Sequence, residues 1–147
     1  MHTRIGVAAI VSTLAVGLAL SSVAAAGELS KKEYIKAGDD ICRQAKELRD
    51  DAAQTLFADL PAGQDPTSDQ LAQYVQNIEP INQQEIDSLR DLPVPDGDEK
   101  RLKKLYKLVQ AAFNTIADDP DLLLEADAVF AKANKAANKY GFKVCGS

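Results

Sequence analysis

Tyr140-Gly-Phe-Lys-Val-Cys-Gly-Ser147 closes the chain, and this stretch decides the fold because it contains Cys145. The chain has only two cysteines, and the other, Cys42, lies in the first long amphipathic segment. In an oxidising compartment a lone pair of cysteines is normally joined. We therefore predict a Cys42–Cys145 disulfide that ties the C-terminal tail to the first helix. Two free thiols or an intermolecular bridge are the alternatives. Neither cysteine lies in a Cys-x-x-Cys pair, which would indicate thiol–disulfide exchange.

The first 26 residues indicate export. Met1–Arg4 is a short cationic segment, residues 5–20 are almost wholly apolar, and Ser21–Ala26 supplies the small residues that precede signal-peptidase cleavage. We expect residues 1–26 to be a signal peptide cleaved after Ala26 and residues 27–147 to be a single helical-bundle domain that is secreted, extracellular or in the cell envelope. A retained membrane anchor is the alternative, but a span takes about 20 apolar residues and this run is shorter. No integral membrane span is expected after cleavage.

Four amphipathic segments follow, each bounded by helix start and stop signals. Ser30-Lys-Lys-Glu33 and Thr67-Ser-Asp-Gln70 are capping boxes, and Asp96-Gly-Asp-Glu99 is a third cap signature. Asp119-Pro120 places a proline at the first position of a fourth helix, which ends at Gly141. These signals predict an all-α fold, an antiparallel up-down-up-down four-helix bundle closed by one disulfide.

Two details of the helices are also expected from residue spacing. Pro80 lies in the middle of the second segment, removes one backbone donor, and is expected to kink or split that helix. On the first helix, Asp39–Arg43 and Lys46–Asp50 have the i,i+4 spacing of surface ion pairs.

Catalytic motifs are absent from the sequence. The only histidine is His2, inside the predicted signal peptide, so the remaining chain has no Ser-His-Asp or Cys-His arrangement and no histidine-containing zinc site. No Gly-rich phosphate loop or nucleophile elbow occurs, and Asp96–Glu99 lacks the spacing of a calcium loop. We predict that the chain is not an enzyme and has no catalytic, metal or cofactor-binding residues. A hydrolase would need two acids meeting in one pocket.

Basic residues are concentrated in the second half of the chain. Residues 27–96 carry seven basic and 15 acidic residues, whereas residues 97–147 carry nine basic and seven acidic ones, which predicts a dipolar molecule. The candidate partner-binding residues, a cationic stripe on the third helix, are Lys100, Arg101, Lys103, Lys104 and Lys107. They suit an anionic envelope component or an acidic protein, whereas the net charge of −5 argues against nucleic acid. The commoner explanation of such a stripe is a solvated face partly neutralised by neighbouring helices.

An alanine-rich stripe on the fourth helix offers a second candidate site. Ala126, Ala133, Ala136 and Ala137 recur at helical spacing among larger apolar residues. Such a stripe indicates either close packing of helices, which is the more frequent case, or the wall of a small apolar pocket.

Three motifs resemble a group of small exported proteins. Ser30-Lys-Lys-Glu-Tyr-Ile35 with Ile41-Cys42, Leu92-Pro-Val-Pro-Asp-Gly-Asp-Glu99 and Tyr140-Gly-Phe-Lys-Val-Cys-Gly146 are similar to motifs of small exported helical proteins of actinobacteria, which are described as secreted proteins or lipoproteins of unknown function. The resemblance implies a helical exported domain with the same cysteine pair and brings no catalytic residues. Many of those proteins carry a lipidated cysteine at the cleavage site, which this chain lacks, so a lipid anchor is not implied here.

From the sequence we therefore expect a monomeric, exported, non-catalytic interaction protein of the cell envelope or the extracellular space. The alternative is a carrier of a small apolar ligand in the bundle core. That function requires a lined cavity of a few hundred Å3, and a tightly filled core would exclude it.

Overall fold

The computed structural model describes residues 29–147, so the predicted signal peptide lies outside the described residues. Four α-helices form: α1 (Lys31–Phe57), α2 (Ser68–Asp91), α3 (Glu99–Asp118) and α4 (Ala126–Tyr140). A 3-10 helix, Pro120–Glu125, leads directly into α4, and residues 29–147 contain no strand. The predicted all-α fold is confirmed.

The two capping boxes form as predicted. The Ser30 hydroxyl accepts a hydrogen bond from the Glu33 amide, and the Glu33 carboxylate accepts one from the Ser30 amide at 3.0 Å. Thr67 and Gln70 satisfy each other in the same way at the start of α2. Each box accepts hydrogen bonds from backbone N–H groups that have no partner within the first turn of the helix.

The third cap signature marks the helix start correctly, but its carboxylate does not cap. Asp98 makes no side-chain hydrogen bond to the first turn of α3. It accepts one from the Tyr140 hydroxyl at 2.8 Å instead and lies 4.0 Å from the Lys31 ammonium. Asp98 therefore links the starts of α1 and α3 to the end of α4.

Pro80 and Pro120, the two prolines for which an effect on a helix is predicted, both lie within helical segments. α2 runs through Pro80 without interruption, so the second segment is one helix and is not split; the kink stays a prediction. Pro120 begins a helix as expected, but the first six residues of that segment are a 3-10 helix, and α4 starts only at Ala126.

The helices pack in antiparallel order. The start of α1 lies beside the end of α2, where the Tyr34 hydroxyl is 3.4 Å from the Leu89 carbonyl oxygen. The start of α3 lies beside the end of α4, where Arg101 donates to the Lys139 carbonyl oxygen at 2.9 Å. α1 packs on α2, α2 on α3, and α3 on α4, but no Cα atom of α1 lies within 8 Å of a Cα atom of α4. The up-down-up-down bundle is confirmed, and it is open along one seam, between α1 and α4.

A cluster of buried core residues lies at the end of the bundle where α1 begins. Tyr34, Leu102 and Phe142 are 1% exposed or less and belong to one cluster with Leu89 and Tyr106. The Tyr34 and Tyr106 hydroxyls hydrogen-bond to each other beside the Leu89 carbonyl oxygen. Burial raises the pKa of Tyr106, so this polar pair stays neutral inside the core.

The C-terminal tail is attached to this end of the bundle, which we call the disulfide end. Cys42 and Cys145 form the predicted disulfide, with an S–S distance of 2.07 Å and Cα atoms 5.3 Å apart. Gly141 ends α4 with a φ of 126°, a conformation that favours glycine, and turns the chain back toward α1. Phe142 then fits against Gly38, where a Cβ atom would lie 2.5 Å from the ring. We call the tail residues 142–145 and their contacts on α1 the tail clamp.

One predicted ion pair is wrong because of the tail clamp. The Asp39 carboxylate is buried and accepts backbone hydrogen bonds from Lys143, Val144 and Cys145 at 3.0, 2.8 and 3.2 Å. Arg43 pairs with Asp40 instead, at 2.6 Å. The second predicted pair, Lys46–Asp50, is confirmed at 2.5 Å.

Candidate functional site

The predicted cationic stripe lies on the outer surface of α3. The side chains of Lys100, Lys103, Lys104 and Lys107 are exposed, and none forms an ion pair within 4.0 Å with any residue from 29 to 147. Arg101 differs because it bonds to the end of α4 and lies 5.4 Å from the centre of the Tyr140 ring. The four lysines are thus available to a partner, whereas Arg101 connects α3 to α4.

A cavity of about 290 Å3 lies between the helices, in the half of the bundle away from the core around Tyr34 and Phe142. All four helices, the 3-10 helix and the tail contribute side chains to it, at helical spacing along each helix. On α1 the lining residues are Cys42, Lys46 and Arg49, so the cavity begins at the disulfide and extends away from it. We call this space the seam cavity.

The seam cavity opens between α1 and α4. Its three exposed lining residues are Lys46 on α1, Asp127 on α4 and Ser147 at the end of the tail, whereas those from α2 and α3 are buried or partly buried. α1 and α4 are the two neighbouring helices whose Cα atoms do not approach within 8 Å of each other. The mouth is therefore the open seam of the bundle.

One wall of the seam cavity is apolar. Phe113 on α3 and Phe130 on α4 pack edge to face, with ring centres 5.2 Å apart, and Ile116 is buried beside the same space. Ala126 and Ala133 of the alanine-rich stripe line this wall as well. Ala137 does not, because it belongs to the packed core of the disulfide end. The stripe thus serves both alternatives, packing at one end and a pocket wall at the other.

The facing wall, from α1 and α2, carries a polar cluster. Arg49 donates through Nη1 to the Asn82 side-chain oxygen at 3.0 Å and to Glu85 at 2.6 Å. Tyr74 donates its hydroxyl to the Arg49 carbonyl oxygen at 3.2 Å. The Glu85 side chain is 8% exposed, and burial raises its pKa, while the adjacent Arg49 charge acts in the opposite direction.

Sequence reasoning missed Arg49 and Glu85, although one signal was present. Glu85 lies seven residues after Ile78 and four before Leu89, which places it on the apolar stripe of α2. An acid at a core-facing position needs a buried partner. That requirement would have directed attention to a basic residue on a neighbouring helix.

The seam cavity supplies few of the groups that catalysis uses. Two carboxylates line it, but Glu85 is paired with Arg49, whereas Asp127 is exposed at the mouth. Residues 29–147 contain no group of three or more His, Cys, Asp or Glu side chains placed to hold a metal ion. Absence of enzymatic activity stays a prediction. No helix within residues 29–147 is both long and apolar enough to cross a bilayer.

No protein-family model, curated protein or solved structure matches the chain. The resemblance to exported actinobacterial proteins therefore stays a prediction from the quoted motifs.

Proposed function

We propose that this chain is an exported, non-catalytic binding protein that holds a small, mostly apolar ligand in the seam cavity. The observation that carries the proposal is the cavity itself, about 290 Å3 between an aromatic wall and a polar wall, reached through the open seam. Pockets for small molecules have this composition, largely apolar with a few placed polar groups, and start at about 300 Å3.

The physical argument is that the apolar wall is incompletely covered by protein. Phe113 and Phe130 are only partly buried, although both point into the space between the helices. Removing apolar surface from water contributes roughly 25 cal/mol per Å2. A ligand that covers the exposed part of these two rings is therefore stabilised by the apolar surface it buries.

Export is supported by two independent features. The first 26 residues have the order of a signal peptide. The disulfide joins residues 103 positions apart, and a structural disulfide of this kind persists in an oxidising compartment.

Filling the cavity from within tests the proposal. Ala133 is 3% exposed and lines the apolar wall, so Ala133→Phe should occupy the space that a ligand needs. Ala131→Phe is the matched control, because Ala131 lies on the same helix but is exposed and outside the cavity. We expect 1-octanol, octanoate or both to bind the wild type and Ala131→Phe in solution NMR titrations, with loss of binding in Ala133→Phe. No binding of either compound, or equal binding by all three proteins, would contradict the proposal.

A second candidate function uses the cationic stripe. Four exposed lysines without an acidic partner among the described residues favour contact with an anionic component of the cell envelope. Lys103→Glu with Lys107→Glu should weaken binding to cell-envelope fractions, and raised salt should weaken wild-type binding. Lys32→Glu with Lys36→Glu makes the same change in net charge on α1 and should have little effect. Equal losses in the two double variants would show that net charge, and not the stripe, governs binding.

A further inference from the structure

We infer that the ligand of the seam cavity carries a carboxylate, which binds Arg49 while the apolar part of the ligand packs against Phe113 and Phe130. The inference rests on the proposed function and adds the chemical class of the ligand, an amphipathic carboxylic acid.

Arg49 has hydrogen-bond donors to spare. A guanidinium has five N–H donors. Of the three guanidinium nitrogens of Arg49, only Nη1 donates hydrogen bonds to side chains within the described residues, namely to Asn82 and Glu85. No fully buried side-chain nitrogen or oxygen in residues 29–147 lacks a partner, so the Nε and Nη2 atoms of Arg49 are accessible to solvent or to a ligand.

The residue that carries these free donors lines the seam cavity. Arg49 is a lining residue with a side chain 22% exposed, opposite the aromatic wall. Two adjacent donors of one guanidinium match the two oxygens of a carboxylate and form a bidentate pair. Lys46, the other cation of the lining, is already paired with Asp50 at 2.5 Å. Arg49 is therefore the residue best placed to receive an anionic group.

The opposite polarity, a cationic ligand on Glu85, fits less well. The Glu85 side chain is 8% exposed and its carboxylate already accepts from Arg49 at 2.6 Å. Asp127 is at the mouth and exposed, so a cation there would remain largely in water, where an ion pair contributes little. The polar wall thus offers unsatisfied donors rather than unsatisfied acceptors.

Two compounds with the same alkyl chain and different head groups separate the inference from the proposed function. Octanoate is ionised at pH 7, whereas 1-octanol is uncharged. We expect octanoate to bind the full secreted chain about tenfold or more tightly, because hydrogen bonds to charged groups are stronger than neutral ones. The net charge of −5 opposes this preference, so it would not arise from overall electrostatics.

Two variants assign the preference to Arg49. Arg49→Lys keeps a positive charge but loses the bidentate geometry, and should reduce the preference for octanoate. Glu85→Gln, which is similar in shape, removes the acid beside the inferred carboxylate site and should tighten octanoate binding with little change for 1-octanol. This gain does not depend on whether Arg49→Lys folds.

Each outcome decides between the two statements. If neither compound binds the wild type, the proposed function falls and the inference falls with it. If both bind equally, or 1-octanol binds better, the proposed function stands and the carboxylate is contradicted. If octanoate is preferred but Glu85→Gln fails to tighten its binding, the assignment to Arg49 is overturned.

Discussion

At the disulfide end of the bundle, Tyr34, Leu102 and Phe142 are 1% exposed or less, whereas Phe113 and Phe130, in the other half, are only partly buried beside a cavity of about 290 Å3. The same four amphipathic helices build both halves. The difference comes from what joins α1 to α4. No Cα atom of α1 lies within 8 Å of a Cα atom of α4, and at the disulfide end the tail clamp occupies the space between the two helices.

This difference shows how a bundle can be stable and still keep an internal space. The clamp combines a disulfide, three backbone hydrogen bonds to one buried carboxylate, and an aromatic ring fitted against Gly38. These contacts add to an aromatic contact between the first and last helices, in which the Tyr34 and Tyr140 rings meet with centres 6.1 Å apart. The seam is consequently free to serve as the mouth of a binding site.

The largest expected effect comes from removing the covalent link. Cys42→Ala with Cys145→Ala opens a loop of 103 residues and should lower the free energy of unfolding by about 4–5 kcal/mol on the chain-entropy account. Urea unfolding of the oxidised wild type and the double variant measures this, with reductant added to each as a control. A loss below about 1 kcal/mol would show that the disulfide is not the principal fastening of the disulfide end.

A matched pair of ring deletions compares the two halves directly. Phe142→Ala should cost about 3–5 kcal/mol, because it empties a fully packed site. Phe130→Ala should cost about 1–2 kcal/mol, because that ring already borders the cavity. Both values come from urea unfolding under one set of conditions. Equal costs would contradict the difference in packing between the two halves.

Two neighbouring aspartates test the polar part of the tail clamp. Asp39→Asn replaces the acceptor of three tail amides and should destabilise the chain by about 2–3 kcal/mol. Asp40→Asn is the control, one residue away, where the carboxylate pairs with Lys36 and Arg43 on the surface. Its loss should be much smaller. Thermal unfolding of both variants measures the two losses. A larger loss for Asp40→Asn than for Asp39→Asn would contradict a role of Asp39 in holding the tail.

The smallest effect concerns the polar wall and appears as a pH dependence. Burial raises the folded-state pKa of Glu85 above its ordinary value of 4.5, so its contribution to stability is fullest below that value and declines as pH rises toward the folded-state pKa. Glu85→Gln does not titrate. The stability of Glu85→Gln relative to the wild type should therefore increase as pH rises above 4.5. The free energy of unfolding of both proteins is measured at several pH values above 4.5. A difference between them that does not change with pH would show that Glu85 is not held in a desolvated site.

Local sequence signals predicted most of the fold because their physical causes are local. The capping boxes at Ser30 and Thr67 need only four residues each, and the disulfide is predicted because the chain has two cysteines and is expected to be exported. The i,i+4 spacing predicts an Asp39–Arg43 pair, because it reports only on residues one helical turn apart. The true partners of Asp39 lie more than 100 residues away, in a tail with no side-chain signal for a buried acceptor.

The candidate site was predicted less completely for a similar reason. Helical spacing identifies Ala133 and Ala137 as members of one alanine-rich stripe, but Ala137 packs in the core and Ala133 lines the cavity. Which of the two occurs depends on the tertiary neighbours of each alanine, which the spacing of residues in α4 does not specify. The pairing of Arg49 with Glu85 depends on the register of α1 against α2, and neither helix encodes that register alone.

A crystal structure of the oxidised chain under xenon pressure tests the central claim most directly, because xenon binds in apolar cavities and should therefore bind at the apolar wall of the seam cavity. We predict xenon against Phe113, Phe130 and Ala133, and none at the disulfide end. A structure in which α4 packs along α1 and side chains fill the space between them, with no bound xenon, would contradict the account.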